Sequence, residues 1–312
     1  MRSAPTFLHF AIAVLLSVGG YQTLDAQAGA ASGDLTVEAI NYDASGRTPV
    51  TIYVKDSQMR IDQSQKSLLF RVSGPQPGML MLDHAAKRVD FLPSQVIAGG
   101  QLTVSAETRT LQYETTPEAL PRLEQMAPFP TTVTIVRNGI RQVVPVNLSE
   151  VGFYYEGDAT LPGMNDAAIP PDMKARIKVV MRIDSRARVD ASLEGSGTLA
   201  ALYAEMVKLG ASESAAGMMA MTSGLMAINR DIAFTGFPLW VGTKTDIRVG
   251  VDGPMAGMME RMFSRIPGVG STLAVSVVES ISTDPVDAAL FYDGGMPPDY
   301  TLRVLEAPRA AQ

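Results

Sequence analysis

The chain holds two histidines and no cysteine, so few of its residues could do chemistry. His9 lies inside an N-terminal apolar stretch, FLHFAIAVLLSV, which leaves His84 as the one histidine available to a folded domain. A single imidazole without thiolates cannot build the usual zinc or iron sites, which need several nitrogen or sulfur ligands. Asp83-His84 could in principle work with a distant serine. No Gly-x-Ser-x-Gly elbow occurs, however, and adjacent side chains on a strand point to opposite faces. The favoured reading is a polar residue closing the strand MLMLDH. Gly195-Ser196-Gly197 and Gly268-Val269-Gly270 each lack the third glycine of a dinucleotide fingerprint, and no Walker motif appears. Nothing in the sequence pairs two carboxylates for acid–base work. The expectation is a non-enzyme with no catalytic residue, no metal site and no cofactor.

The methionines say more. Met255, Met258, Met259 and Met262 stand at i, i+3, i+4 and i+7, one face of a helix, and Met218, Met219, Met221 and Met226 crowd a second helical stretch. Three readings compete: ordinary core packing, an adaptable surface for a flexible apolar ligand, and soft-metal binding by thioether sulfur. The last lacks any accompanying His or Cys. If a ligand is held, Met218, Met221, Met255, Met258, Met259 and Met262, with Trp240, are the expected lining.

Strands must position these residues. From Val50 to Pro93 the chain reads as an antiparallel meander of period-two alternation, which buries one face of a sheet and wets the other. Ile52, Val54, Met59, Ile61, Leu68, Phe70, Val89 and Phe91 are placed on one buried face, Arg60 and Asp62 on the wet one. Leu35, Val37 and Ala39 give an earlier strand the same character. Thr131 to Val146 reads as a hairpin turning at Asn138-Gly139, which supplies the two positive φ values of a type I′ turn. Residues 174–193 read as a strand pair, and strand character returns at 230–252 and 272–281. Helices are expected over 198–209, 213–228 and 254–266, with a short one, limited by Pro121, before Met126.

The first twenty-eight residues read as an address. Arg2 precedes a short apolar run, and Ala26-Gln27-Ala28 fits a small-x-small cleavage site, so a signal peptide is expected at 1–28 and a single α+β domain at 29–312. With no cysteine to carry a lipid, the processed chain is expected in the periplasm or secreted, and not membrane-spanning. The net charge of -6 gives no electrostatic footprint for nucleic acid.

The run VTIYVKDSQMRIDQ, followed by a hairpin ending MLMLDHAAKRVDFLP, resembles the DUF4412 family of exported bacterial proteins. Lys55, Met59, Arg60, Ile61, Asp83, Lys87, Phe91 and Pro93 occupy the family's hairpin positions. FTGFPLW and VVESISTDPVDAALF are similar to its closing strands. The resemblance implies an architecture like that of the periplasmic lipoprotein carriers, the LolA/LolB-like fold. That is a curved antiparallel half-barrel with helices covering the concave face, and by analogy an apolar cavity for a lipid or acyl chain. The functional expectation is a binding protein for such an amphiphile. Its rival is a structural or interaction protein of the envelope with a filled core, and a hydrolase using buried carboxylates comes third.

Overall fold

A computed structural model describes residues 33–72, 77–93, 119–158, 177–210, 233, 235–251, 257, 261 and 270–304. Among these, the chain forms β1 (Leu35–Asp43), β2 (Gly46–Lys55), β3 (Gln58–Gln63), β4 (Lys66–Arg71), β5 (Gly78–Asp83), β6 (Arg88–Pro93) and helix α1 (Ala119–Met126). There follow β7 (Thr132–Arg137), β8 (Ile140–Pro145), β9 (Ser149–Asp158), β10 (Ile177–Asp190), helix α2 (Ser196–Gly210), β11 (Phe237–Val251), β12 (Gly270–Ser282), a 3-10 turn (Ala288–Gly294) and β13 (Thr301–Val304). The strands make one large curved sheet in the order β13-β6-β5-β4-β3-β2-β1-β12-β11-β10-β9, with the β7–β8 hairpin joined to β12. The sheet is open rather than closed into a barrel. It is also mixed, because β7 runs parallel to β12 and β13 parallel to β6. The helix expected at 198–209 lies within α2. The stretch 213–228 falls outside the described residues, and of 254–266 only Gly257 and Arg261 are described, both helical.

Tight turns set the meander's register. Two-residue connections at Asp56-Ser57 and Ser64-Gln65 each begin with a residue at positive φ, 51° and 50°. In the β7–β8 hairpin both Asn138 and Gly139 take positive φ, 50° and 73°, as a type I′ turn demands. The carboxylate of Asp284 accepts the backbone N–H groups of both turn residues, the second at 2.9 Å.

The meander departs from one-sided burial. Its inner face, with Ile52, Val54, Met59, Ile61, Leu68, Phe70 and Met79, shares a buried cluster with Leu199, Leu202 and Tyr203 of α2 and with Val133 of β7. Its outer face is buried too. Leu69, Leu80, Leu82, Val89 and Phe91 pack under Val286 and Phe291 from the segment around the 3-10 turn. Val89 and Phe91 therefore lie opposite the face expected of them, since Phe91 pairs across to Leu80 and Leu80 to Leu69. Arg60 is not wet: only 8 % of it is exposed. The continuous runs SLLF and MLML carry the reason, because a strand covered on both faces has no polar side to alternate with.

Residues 177–190 form one fourteen-residue strand instead of a pair. No glycine or proline interrupts it, and Asp184-Ser185, the dipeptide that turns between β2 and β3, stays in the ladder because β11 matches the strand residue for residue from Ile177 to Arg188. Pro121 sits in the first turn of the eight-residue α1, where its missing N–H costs no intrahelical bond.

Candidate functional site

Of the seven expected lining residues, six (Met218, Met221, Met255, Met258, Met259 and Met262) lie outside the described residues. The seventh, Trp240, is fully buried on β11 among Leu123, Ala127 and Val275. Its indole N–H donates to the Ala127 carbonyl at 2.8 Å, and its ring meets Phe129 edge-on with centroids 4.9 Å apart. Gly242, two residues along the same strand face, makes room for it: a β-carbon there would stand 2.5 Å from the indole ring. Trp240 thus fastens α1 and residues 127–129 to the sheet.

The densest polar cluster sits on the meander's outer face. Alternation puts Arg60, Asp62, Ser67 and Arg71 on that side, and the turn after β5 delivers His84 to it. Arg60 Nε bonds Asp62 at 2.7 Å, and its Nη1 donates to the Leu290 carbonyl at 2.6 Å. The Arg60 guanidinium also lies over the Tyr292 ring, 5.5 Å from its centroid. Arg71, 1 % exposed, donates through Nη2 to the carbonyls of Phe291 at 2.8 Å and Gly295 at 2.6 Å. Ser67 Oγ lies 2.6 Å from His84 Nε2, and His84 Nδ1 lies 2.7 Å from the Tyr300 hydroxyl.

A serine within hydrogen-bond reach of an imidazole is the minimal nucleophile–base arrangement. Here it links β4 through His84 to Tyr300. Ser67 is 1 % exposed, so its hydroxyl is shut away from solvent in this structure. The third partner is a tyrosine hydroxyl rather than a carboxylate, because Asp83 turns away to accept the Ala86 N–H at 2.9 Å. Arg60 Nη2 approaches Ser67 Oγ at 3.5 Å. The orientation that satisfies every group runs Arg60 to Ser67, Ser67 to His84 Nε2, and His84 Nδ1–H to Tyr300. Burial, and then the positive charge of Arg60, hold His84 below its ordinary pKa and keep the imidazole neutral. The sequence offered Ser67 no signal, since a serine at the start of a strand is unremarkable until the fold brings His84 beside it.

A second region lies on the long strands. The side chains of Ser185, Ala187, Thr243, Thr245 and Ser276 alternate onto one side of β10–β12, small and buried, with Ser185 and Thr243 hydrogen-bonded at 3.2 Å. On the opposite side stands Asp184, pushed up to about 6 by burial that Arg186 and Lys244 only partly offset. Among the described residues no group of three or more His, Asp or Glu could hold a metal ion, and no helix is long and apolar enough to cross a membrane.

No protein-family model matches the chain, and no curated protein matches it. The DUF4412 resemblance rests on the quoted residues alone.

Proposed function

We propose that the protein is an exported, non-catalytic binding protein of the bacterial envelope, processed after Ala28. It holds a lipid, acyl chain or similar amphiphile between the curved sheet and helices covering its concave face. The observation that carries this reading is the patch of small residues on the long strands, Ser185, Ala187, Thr243, Thr245 and Ser276. These side chains are covered in the structure, and being short they let a bulky apolar group pack close against the curved sheet. Each Å² of apolar surface left in water forgoes roughly 25 cal/mol, so this face stays covered, by the protein's own segments or by a guest that displaces them. Methionine-rich segments at 218–226 and 255–262 suit a guest that comes and goes, because thioethers repack around varied shapes.

The second reading, a structural or interaction protein with a filled core, draws support from Trp240 and the α2 cluster, where side chains of the protein itself complete the packing. Native mass spectrometry of gently purified protein, before and after organic extraction, separates the two. The binding reading expects an extractable mass of lipid size, or uptake of added phospholipid, fatty acid or acylated peptide that is lost on replacing Met258 and Met262 with Asp. Protein that is unliganded and ignores all three additives would establish the filled core.

A further inference from the structure

The segment Val286–Tyr300 crosses the outer face of the meander as a strap. It has no ladder of its own on that face. At one end Asp34 accepts the Val286 N–H at 2.6 Å, and at the other the Thr301 N–H donates to the Lys87 carbonyl at 2.8 Å. Between these points it is held by two arginines, by the His84–Tyr300 bond and by apolar contact. Arg60 has Asp62 as a counter-charge. Arg71 has no carboxylate partner among the described residues, and its Nε and Nη1 are buried without any acceptor. A guanidinium always carries its charge, so strap closure seals in a cation whose donors are only partly used.

Beneath the strap, the Arg71 cation lies beside the apolar strip Leu69, Leu80, Leu82, Val89 and Phe91 on one sheet face. That is the surface an anionic single-chain amphiphile requires, a cation for the headgroup and a strip for the chain. The strap imitates such a ligand. Its Phe291 and Gly295 carbonyl oxygens stand where headgroup oxygens would, and its Val286 and Phe291 side chains stand where the chain would lie. We propose that the outer face of the meander is a strap-gated binding site for an anionic amphiphile, with Arg71 recognising the headgroup. The site is separate from the one over the long strands and does not depend on it.

The test compares dodecyl phosphate with neutral dodecyl maltoside, both below their micellar concentrations, on the full chain. Binding is read by calorimetry, and hydrogen exchange is read at residues 286–300 and 198–204. The expected result is binding of the phosphate about tenfold tighter than the maltoside, with faster exchange across 286–300. Arg71→Gln removes the preference and Arg71→Lys retains it. Phe291→Ala weakens the strap and tightens binding, and this arm decides the matter if Arg71→Gln does not fold. Equal affinity for the two detergents, or binding with exchange at 286–300 unaltered, overturns the proposal. Uptake that protects only 198–204 overturns it while leaving the inner-face reading intact. Opening of 286–300 without protection at 198–204 supports the proposal and leaves the inner-face reading to its own test.

Discussion

Arg60 and Arg248 show how far a side chain's worth depends on what surrounds it. Arg248 pairs with Asp246 at 2.6 Å, but 66 % of its side chain is exposed, so water and salt screen the pair. Arg60 makes a comparable bond to Asp62 and adds a half-buried one to the Leu290 carbonyl, which would lose that donor on truncation. Arg60→Ala is expected to cost about 2–3 kcal/mol in chemical denaturation and Arg248→Ala under about 0.5. Similar losses would refute the buried role of Arg60. Two titrations oppose one another at this scale. Folded His84 holds its proton less well than unfolded His84, so as pH falls through about 6.5 the unfolded chain binds more protons and stability drops. Folded Asp184, at about 6 against an ordinary 3.8, gains its proton first, so stability rises over the interval between those values as pH falls. Thermal midpoints between pH 4 and 7 should therefore show His84→Gln removing the acid-side loss. Asp184→Asn should remove the acid-side gain and raise the midpoint at pH 7. Unchanged profiles would mean that neither group is buried as described.

Elements are held by single capping and spacing residues. Asp284 accepts both turn amides of the β7–β8 hairpin, so Asp284→Ala should cost about 1–2 kcal/mol and speed exchange at Asn138 and Gly139 before the rest of the sheet. Gly242→Ala should push the Trp240 ring out of place and loosen α1. With one tryptophan in the chain, a red-shifted emission would report this directly, and an unshifted spectrum would contradict the packing. How much was legible in the sequence follows the same physics. Asn138-Gly139 could be placed because its turn is specified by two adjacent residues. The partners Ser67 and His84, or Asp284 and the hairpin, could not, because they meet only through long-range pairing. Arg60 was misplaced because alternation tells which residues share a face and not what covers the other one. The strap's FYDGG carries neither period to announce it. SLLF and MLML did hold the clue to two-sided burial, in the absence of a polar alternate.

At the level of the whole molecule, β12 is the joint. It pairs with β1 on one side and β11 on the other, so the meander and the long strands meet only through it along the main order of the sheet. Its contacts bridge the chain's length: Ser280 donates to Glu38, 242 residues earlier. Pairing over that separation closes a long loop before any ladder bond forms, and it leaves β1 and β11 as bare edges until residue 282 has emerged. Two truncations with different outcomes follow. A chain ending at Val269 lacks β12 and keeps two long unpaired edges; it should aggregate in size-exclusion chromatography. A chain ending at Ser282 keeps every strand of the joint and loses the Asp284 cap of the β7–β8 turn, the strap and β13. It should stay monodisperse and retain most of its β-sheet circular dichroism. It should also bind a hydrophobic dye, because Leu69, Leu80, Leu82, Val89 and Phe91 are then uncovered. Equal aggregation of both chains would show that the strap, rather than β12, holds the sheet together. A monodisperse Ser282 chain that binds no dye would show that the outer face closes without it.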